Sequence, residues 1–338
     1  MATPKIHKGL PDSELIAHCL GPDAEFVGGT ENLGRKVVRI GDDAVIKFGF
    51  WVKRFEFENL KIAKSLVDPN IVYIPDAYRY FEDDEDKSDP LFGPYGYILM
   101  EYVRGTKIDP IDDPKLVQRV ADVVAHLSSI KGETPGTLSR GPCGSILFRD
   151  NFELIPNNLQ ELEDFLNKRI FSHNIPSKIT LEGSELVLCH LDIAPRNILW
   201  KNDGSICFLD WDSAGYFPRC FEFAARSYLL GFEGNFDQML LDTMKPPLSE
   251  AEKVISRGVQ VARGNAERYS FRSPSRTPSP RPRLRPCSGP PPQPPPPESV
   301  MMNSKDVSEL PEFILVDPQP WVPHIPVAGC PPARFCIP

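Results

Sequence analysis

Apolar positions in the first hundred residues come in short runs broken by turn residues. The segments "KVVRI" (36–40) and "AVIKFG" (44–49) flank "GDD" and predict a β-hairpin, and "GYILMEYV" (96–103) predicts a later buried strand. Between them, "RFEFENLKIAKSLV" (54–67) repeats at helical spacing. Glu56 shares a face with Leu60, Ala63 and Val67, whereas Glu58 falls with Lys61 and Ser65 on the wet side. A carboxylate aligned with an apolar stripe needs a partner, because an inward charge left alone is costly. After Gly105 the pattern becomes mainly helical. Leu116, Val120, Val123, Leu127 and Ile130 form one stripe, and Leu159, Leu162, Leu166 and Ile170 a second. "FEFAARSYLL" and "SEAEKVISRGVQVARGNAERYSF" close the globular part near Phe271. The expected fold class is α+β: a small β-rich lobe over 1–104 and a larger, mainly helical lobe over 105–272.

From about Ser273 the text changes to "SPSRTPSPRPRLRPCSGPPPQPPPPESV". Proline, serine and arginine offer little to bury, so residues 273–338 are expected to form a disordered tail. Its SP and TP pairs suit phosphorylation, and "PPPQPPPP" suits an SH3-like partner. A low-complexity extension without function is the plainer expectation.

A net charge of −8 over 338 residues excludes the basic surplus that binds nucleic acid or anionic lipid. The eight cysteines contain no C-x-x-C pair, and Cys189 and Cys207 sit in apolar runs, so they read as buried reduced thiols. No run of about 18 apolar residues suggests a membrane span, and the start of the chain has no signal-like apolar core. The expectation is a cytoplasmic protein.

Candidate chemistry concentrates in "VLCHLDIAPRNILWKNDGSICFLDWDSAGY" (187–216). Read as a two-residue turn, Asp203-Gly204 places Ile198 opposite Leu209 and Asn197 opposite Asp210. An amide oxygen facing a carboxylate suits Mg²⁺, which prefers hard oxygens and fills its other positions with water and phosphate. Asp192 leaves the strand "LVLC" on a loop ordered by Pro195, where it can orient or deprotonate an incoming hydroxyl. His190 beside it is expected to support that loop by hydrogen bonding. The acidic run "FEDDEDKSDP" (81–90) reads as a solvated loop, although a cationic substrate would favour an acidic pocket.

H-x-D-x-x-x-x-N followed by a hairpin and an aspartate resembles the kinase-like phosphotransferases. The wording "HLDIAPRNILW…FLDWDSAGYFPRCFEF" resembles most the aminoglycoside phosphotransferase family, in a branch abundant in filamentous fungi. The resemblance implies a bilobal protein-kinase-like fold, ATP and Mg²⁺ as cofactors, and a small hydroxylated metabolite as acceptor. It makes Asp192 the catalytic aspartate with His190 beside it, and Asn197 and Asp210 the metal ligands. Lys47 becomes the phosphate-contacting lysine with Glu56 as its partner, and Glu101 to Val103 the segment whose backbone meets adenine. Leu191 departs from the family's common glycine. "GGTENLGRK" is not G-x-G-x-x-G, so an ordinary turn is expected at Gly28 and Gly29. Ala194 stands where a protein kinase usually has lysine, and no A-P-E element follows Asp210, which disfavours an atypical protein kinase. A nucleotide-binding pseudokinase is the non-enzyme alternative. A metal-dependent hydrolase would need more histidines near the cluster than His190 alone.

Overall fold

The computed structural model describes residues 9–30, 35–83, 94–148, 154–171, 178–228 and 235–268. The proline-rich tail and most of the acidic run lie outside the described residues.

The first lobe begins with α1 (Asp12–Leu20), followed by β1 (Phe26–Thr30), β2 (Arg35–Ile40), β3 (Ala44–Gly49), α2 (Arg54–Leu66), β4 (Ala77–Asp83) and β5 (Tyr95–Glu101). The five strands form one antiparallel sheet in the order β1-β2-β3-β5-β4. The predicted hairpin is β2–β3, with Val37 opposite Lys47 and Val38 opposite Ile46. Successive strand residues face opposite sides. Val38, Ile46 and Phe48 therefore pack with Leu15 and Cys19 of α1, leaving Lys47 on the other face.

The second lobe contains α3 (Pro114–Ser129), β6 (Lys131–Gly132), β7 (Gly136–Thr137), α4 (Leu159–Asn167), β8 (Leu186–Cys189), β9 (Ile198–Trp200), β10 (Ile206–Phe208), β11 (Gly215–Pro218), α5 (Cys220–Tyr228), α6 (Phe236–Thr243) and α7 (Glu250–Arg268). α3 starts where Asp113 accepts from the Lys115 N–H at 2.8 Å and Pro114 takes the first helical position, which needs no N–H. Strands β6-β8-β11-β7 form a sheet, and β9 pairs with β10. The largest core joins Leu60, Ala63 and Val67 from the α2 region to Val117, Val120 and Val124 of α3 and to Ile198 and Phe208 of the hairpin. Both lobes thus share one buried seam.

The hairpin register differs by one residue from the expectation. Phe208, not Leu209, is opposite Ile198. The loop holds three residues: Lys201 N–H donates to Ser205 O at 2.9 Å, and Gly204 N–H to Lys201 O at 2.9 Å. Gly204 sits at φ +80°, the left-handed position that ends a three-residue loop. Asn197 therefore faces Leu209, whose N–H it accepts at 2.8 Å, and not Asp210. Gly28 and Gly29 also differ from the expected turn, since both lie within β1.

Candidate active site

Lys47 reaches from β3 into the space between the lobes. Its Nζ bonds Glu56 Oε1 of α2 and lies 2.8 Å from Asp210 Oδ1, which follows β10. Burial alone would push the ammonium down, but Asp210 and Glu56 hold it above its ordinary value. Asp210 is the converse: burial would raise it, and the Lys47 and Arg35 charges hold it below the aspartate range. Glu56 is pushed up by burial, which outweighs Lys47, and its Oε2 is buried without a partner. Glu58, expected on the wet face, is half-buried.

Asp192 is fixed from three sides. Its Oδ1 lies 2.6 Å from Arg196 Nη2, its Oδ2 accepts from Asn197 Nδ2 at 2.9 Å, and its N–H donates to His190 Nδ1 at 3.2 Å. The last bond makes Nε2 the protonated nitrogen of His190, and it donates to Leu209 O at 3.1 Å. Burial lowers the pKa of His190, and its ring stacks edgewise on Trp211 and Phe208. At 0% exposure it acts through its neighbours: it holds Asp192 on one side and the residue before Asp210 on the other.

The departure at Leu191 has a structural explanation. Leu191 adopts φ +64°, a conformation that costs a side-chain-bearing residue about 1–2 kcal/mol and that glycine adopts freely. Burial of its side chain beside Phe217 and Phe221 opposes that cost. Glu222 of α5 clamps the turn by accepting from the His190 and Leu191 N–H groups at 2.7 and 3.0 Å. Arg226, one helical turn on, donates to Ile193 O and pairs with Asp237 of α6 at 3.1 Å, with both side chains fully buried.

Asn197 donates its amide nitrogen to both Asp192 O and Asp192 Oδ2 at 2.9 Å. Its amide oxygen makes no hydrogen bond among the described residues. That oxygen and the Asp210 carboxylate are hard donors of the kind Mg²⁺ takes. No group of three or more His, Cys, Asp and Glu able to hold a metal occurs among the described residues; with one amide oxygen and one carboxylate as protein donors, a hard cation would take its other positions from water and phosphate. Glu101 turns its carboxylate to Tyr73 OH and to the Asp76 N–H, at 2.8 and 3.0 Å. Val103 is buried beside Leu199 and Cys207, and its backbone N–H and C=O are unused among the described residues.

Four further residues, Asn59, Asp212, Arg35 and Glu222, complete the site without being among those expected from the sequence. Asn59 is fully buried and donates to the carbonyls of Trp211, Asp212 and Ala214 at 3.2, 2.9 and 3.3 Å, while accepting from Ser139 N–H at 2.8 Å. Its signal was a polar residue one helical step from Glu56 on the buried face. Asp212 pairs with Arg35 at 2.9 Å, and only the register of β2 against β3 brings Arg35 there. Glu222 is an inward carboxylate between Phe221 and Phe223, the same signal that exposed Glu56.

The β-sheet lobe and the helical lobe bring a lysine, two aspartates and an asparagine together. The chain belongs to the phosphotransferase enzyme family, whose model matches residues 26–243. It is 27% identical over 135 residues to ethanolamine kinase 1 of Homo sapiens, a match covering 35% of this chain and 29% of that enzyme. It is also similar to a thermostable mutant of aminoglycoside phosphotransferase APH(4)-Ia at 14% identity and TM-score 0.48, covering 72% of this chain and 85% of the other. Choline kinase LicA from Streptococcus pneumoniae has 16% identity and TM-score 0.41, covering 77% and 91%. No helix among the described residues is long and apolar enough to cross a membrane.

Proposed function

We propose that the protein transfers the γ-phosphate of ATP to a hydroxyl of a small molecule. The observation that carries this reading is the Lys47 ammonium held between Glu56 and Asp210, beside an Asp192 locked by Asn197 and Arg196. Asp192 receives the hydrogen bond, and then the proton, of the acceptor hydroxyl at a carboxylate oxygen. Lys47 meets the nucleotide phosphates, and Glu56 keeps it extended toward them. The unused backbone groups of Val103, with the strand end at Glu101, take the adenine edge. Asn197 and Asp210 are the residues that would hold Mg²⁺, which when bound offsets charge on the phosphates.

The chain after Asp210 favours a small acceptor. Within a few residues it enters β11, which pairs with β8 from Gly215 opposite Cys189 to Pro218 opposite Leu186, and then α5 begins at Cys220. That leaves no span for a peptide-docking segment. The test is incubation of the purified protein with Mg²⁺-ATP and separate acceptors: ethanolamine, choline, an aminoglycoside, and a metabolite extract analysed by mass spectrometry. The expected result is a metabolite gaining one phosphate, abolished by Asp192→Ala. ATP binding with no phosphorylated product from any acceptor would overturn the transferase reading.

A further inference from the structure

The β1–β2 region has no G-x-G-x-x-G segment to wrap phosphates with backbone N–H groups, yet a second cation stands beside Lys47. Arg35 opens β2 two residues before Val37, the cross-strand partner of Lys47. Residues two apart on a strand share a face, so Arg35 and Lys47 emerge on the same side of the sheet. There the two cations meet three carboxylates: Glu56 and Asp210 on Lys47, and Asp212 on Arg35 at 2.9 Å. The Arg35 charge acts on Asp210, Glu56 and Lys47 as well as on Asp212.

The backbone at this point is specified. Gly29 has φ +91°, and a Cβ there would stand 2.4 Å from Arg35 O. Only glycine lets β1 close on Arg35 in this way, so the strand start that carries the guanidinium is held in one place. Arg35 is one-third exposed while Asp212 is largely covered. A pair serving only to join the lobes gains little from an open guanidinium, whereas a planar fork with outward donors matches a phosphate.

We infer that Arg35 is a phosphate-binding residue of the nucleotide site, with Asp212 holding its guanidinium in position. This rests on the ATP reading above and adds a named group to it. Phosphates beyond the first are the ones Arg35 grips, because along β3 the segment from Glu101 to Val103 adjoins the Ala44 end, Lys47 stands three residues further on, and Arg35 lies two residues beyond that.

Calorimetric titration of the full chain with Mg²⁺-ATP, ADP and AMP tests this in the wild type, Arg35→Ala and Arg35→Lys. Loss of a charge-assisted bond predicts ATP binding weaker by about 10- to 100-fold in Arg35→Ala. AMP should weaken by less than about threefold, because it lacks the outer phosphates that such a bond would hold. Arg35→Lys keeps the charge without the fork and should fall between, which guards against a folding defect in the alanine variant. An equal loss for ATP and AMP, or unchanged ATP binding in Arg35→Ala, would overturn the inference while leaving the ATP reading intact. Failure of the wild type to bind any of the three nucleotides would overturn both.

Discussion

Asn59 ties the helix that carries Glu56 to the loop that carries Asp210 and Asp212, and its substitution separates hydrogen bonding from shape. Asn59→Ala removes one acceptor, for Ser139 N–H, and the donors to three carbonyls. At about 1 kcal/mol per net bond, partly offset by sharing of two N–H groups among three acceptors, the loss is about 2–4 kcal/mol. For a domain of this size that lowers Tm by about 5–15 °C. Asn59→Asp is nearly isosteric but sets a buried carboxylate against the carbonyls of Trp211, Asp212 and Ala214. Its folded pKa must therefore rise above the unfolded value of about 3.9. A raised carboxyl contributes fully below its unfolded pKa and loses that contribution as pH climbs through the folded one. Asn59→Asp should therefore be more damaging than Asn59→Ala at pH 8, by about 1–2 kcal/mol, and recover toward it near pH 5. Thermal unfolding by circular dichroism at both pH values decides the matter. An aspartate variant as stable as the alanine one at pH 8, or with the wild type's pH dependence, would show that Asn59 fills space and does not donate.

Asp192→Ala should bind ATP as the wild type does while turnover falls by about 10²- to 10⁴-fold, measured on whichever acceptor the screen identifies. Because Asp210 is held below the ordinary aspartate value of 3.8, the unfolded chain takes up that proton first. Stability from Asp210 is present above that value and lost as pH falls below it, by about 1.4 kcal/mol per unit of depression. Acid unfolding of Asp210→Asn should show a shallower limb than the wild type. Gly204→Val, which forces a β-branched residue to φ +80°, should cost about 1–2 kcal/mol in urea unfolding and weaken ATP turnover through the hairpin.

Legibility in the sequence followed the kind of order involved. The β2–β3 hairpin and β5 were legible as short apolar runs between turn residues, with β3 buried along its whole length. Helices α2, α3 and α4 were legible because each buries one face, and burial imposes a period. Glu56 was legible for the same reason, since its charge interrupts an apolar stripe. β4 and α1 were not read: "AYRYFED" has buried residues bunched at one end, and α1 buries only Leu15 and Cys19. Asn59, Glu222 and Arg35 act across long sequence separations. Asn59 lies on the buried face of α2 with Glu56, Leu60 and Ala63, but the carbonyls it serves, from Trp211 to Ala214, come some 150 positions later, so its role is not written in the local pattern.

In this hairpin, turn chemistry decides where two polar side chains go. Asp-Gly serves a two-residue turn, but here Asp203 Oδ1 accepts from Ser205 N–H at 2.9 Å and its hydroxyl at 2.6 Å. Those bonds favour the longer loop, with Gly204 alone in the left-handed region. Had the shorter turn formed, Asp210 would continue the ladder opposite Asn197, and the pleat would fix where its carboxylate points. In the observed register the ladder ends at Leu209, and Asp210 takes φ +62°. That conformation costs about 1–2 kcal/mol, offset by what it permits: the carboxylate leaves the hairpin plane and meets Lys47 of the other lobe. Asn197, freed from facing Asp210, spends its amide nitrogen on Asp192. A one-residue shift in a surface loop thus assigns Asn197 to the Asp192 loop and Asp210 to the lysine.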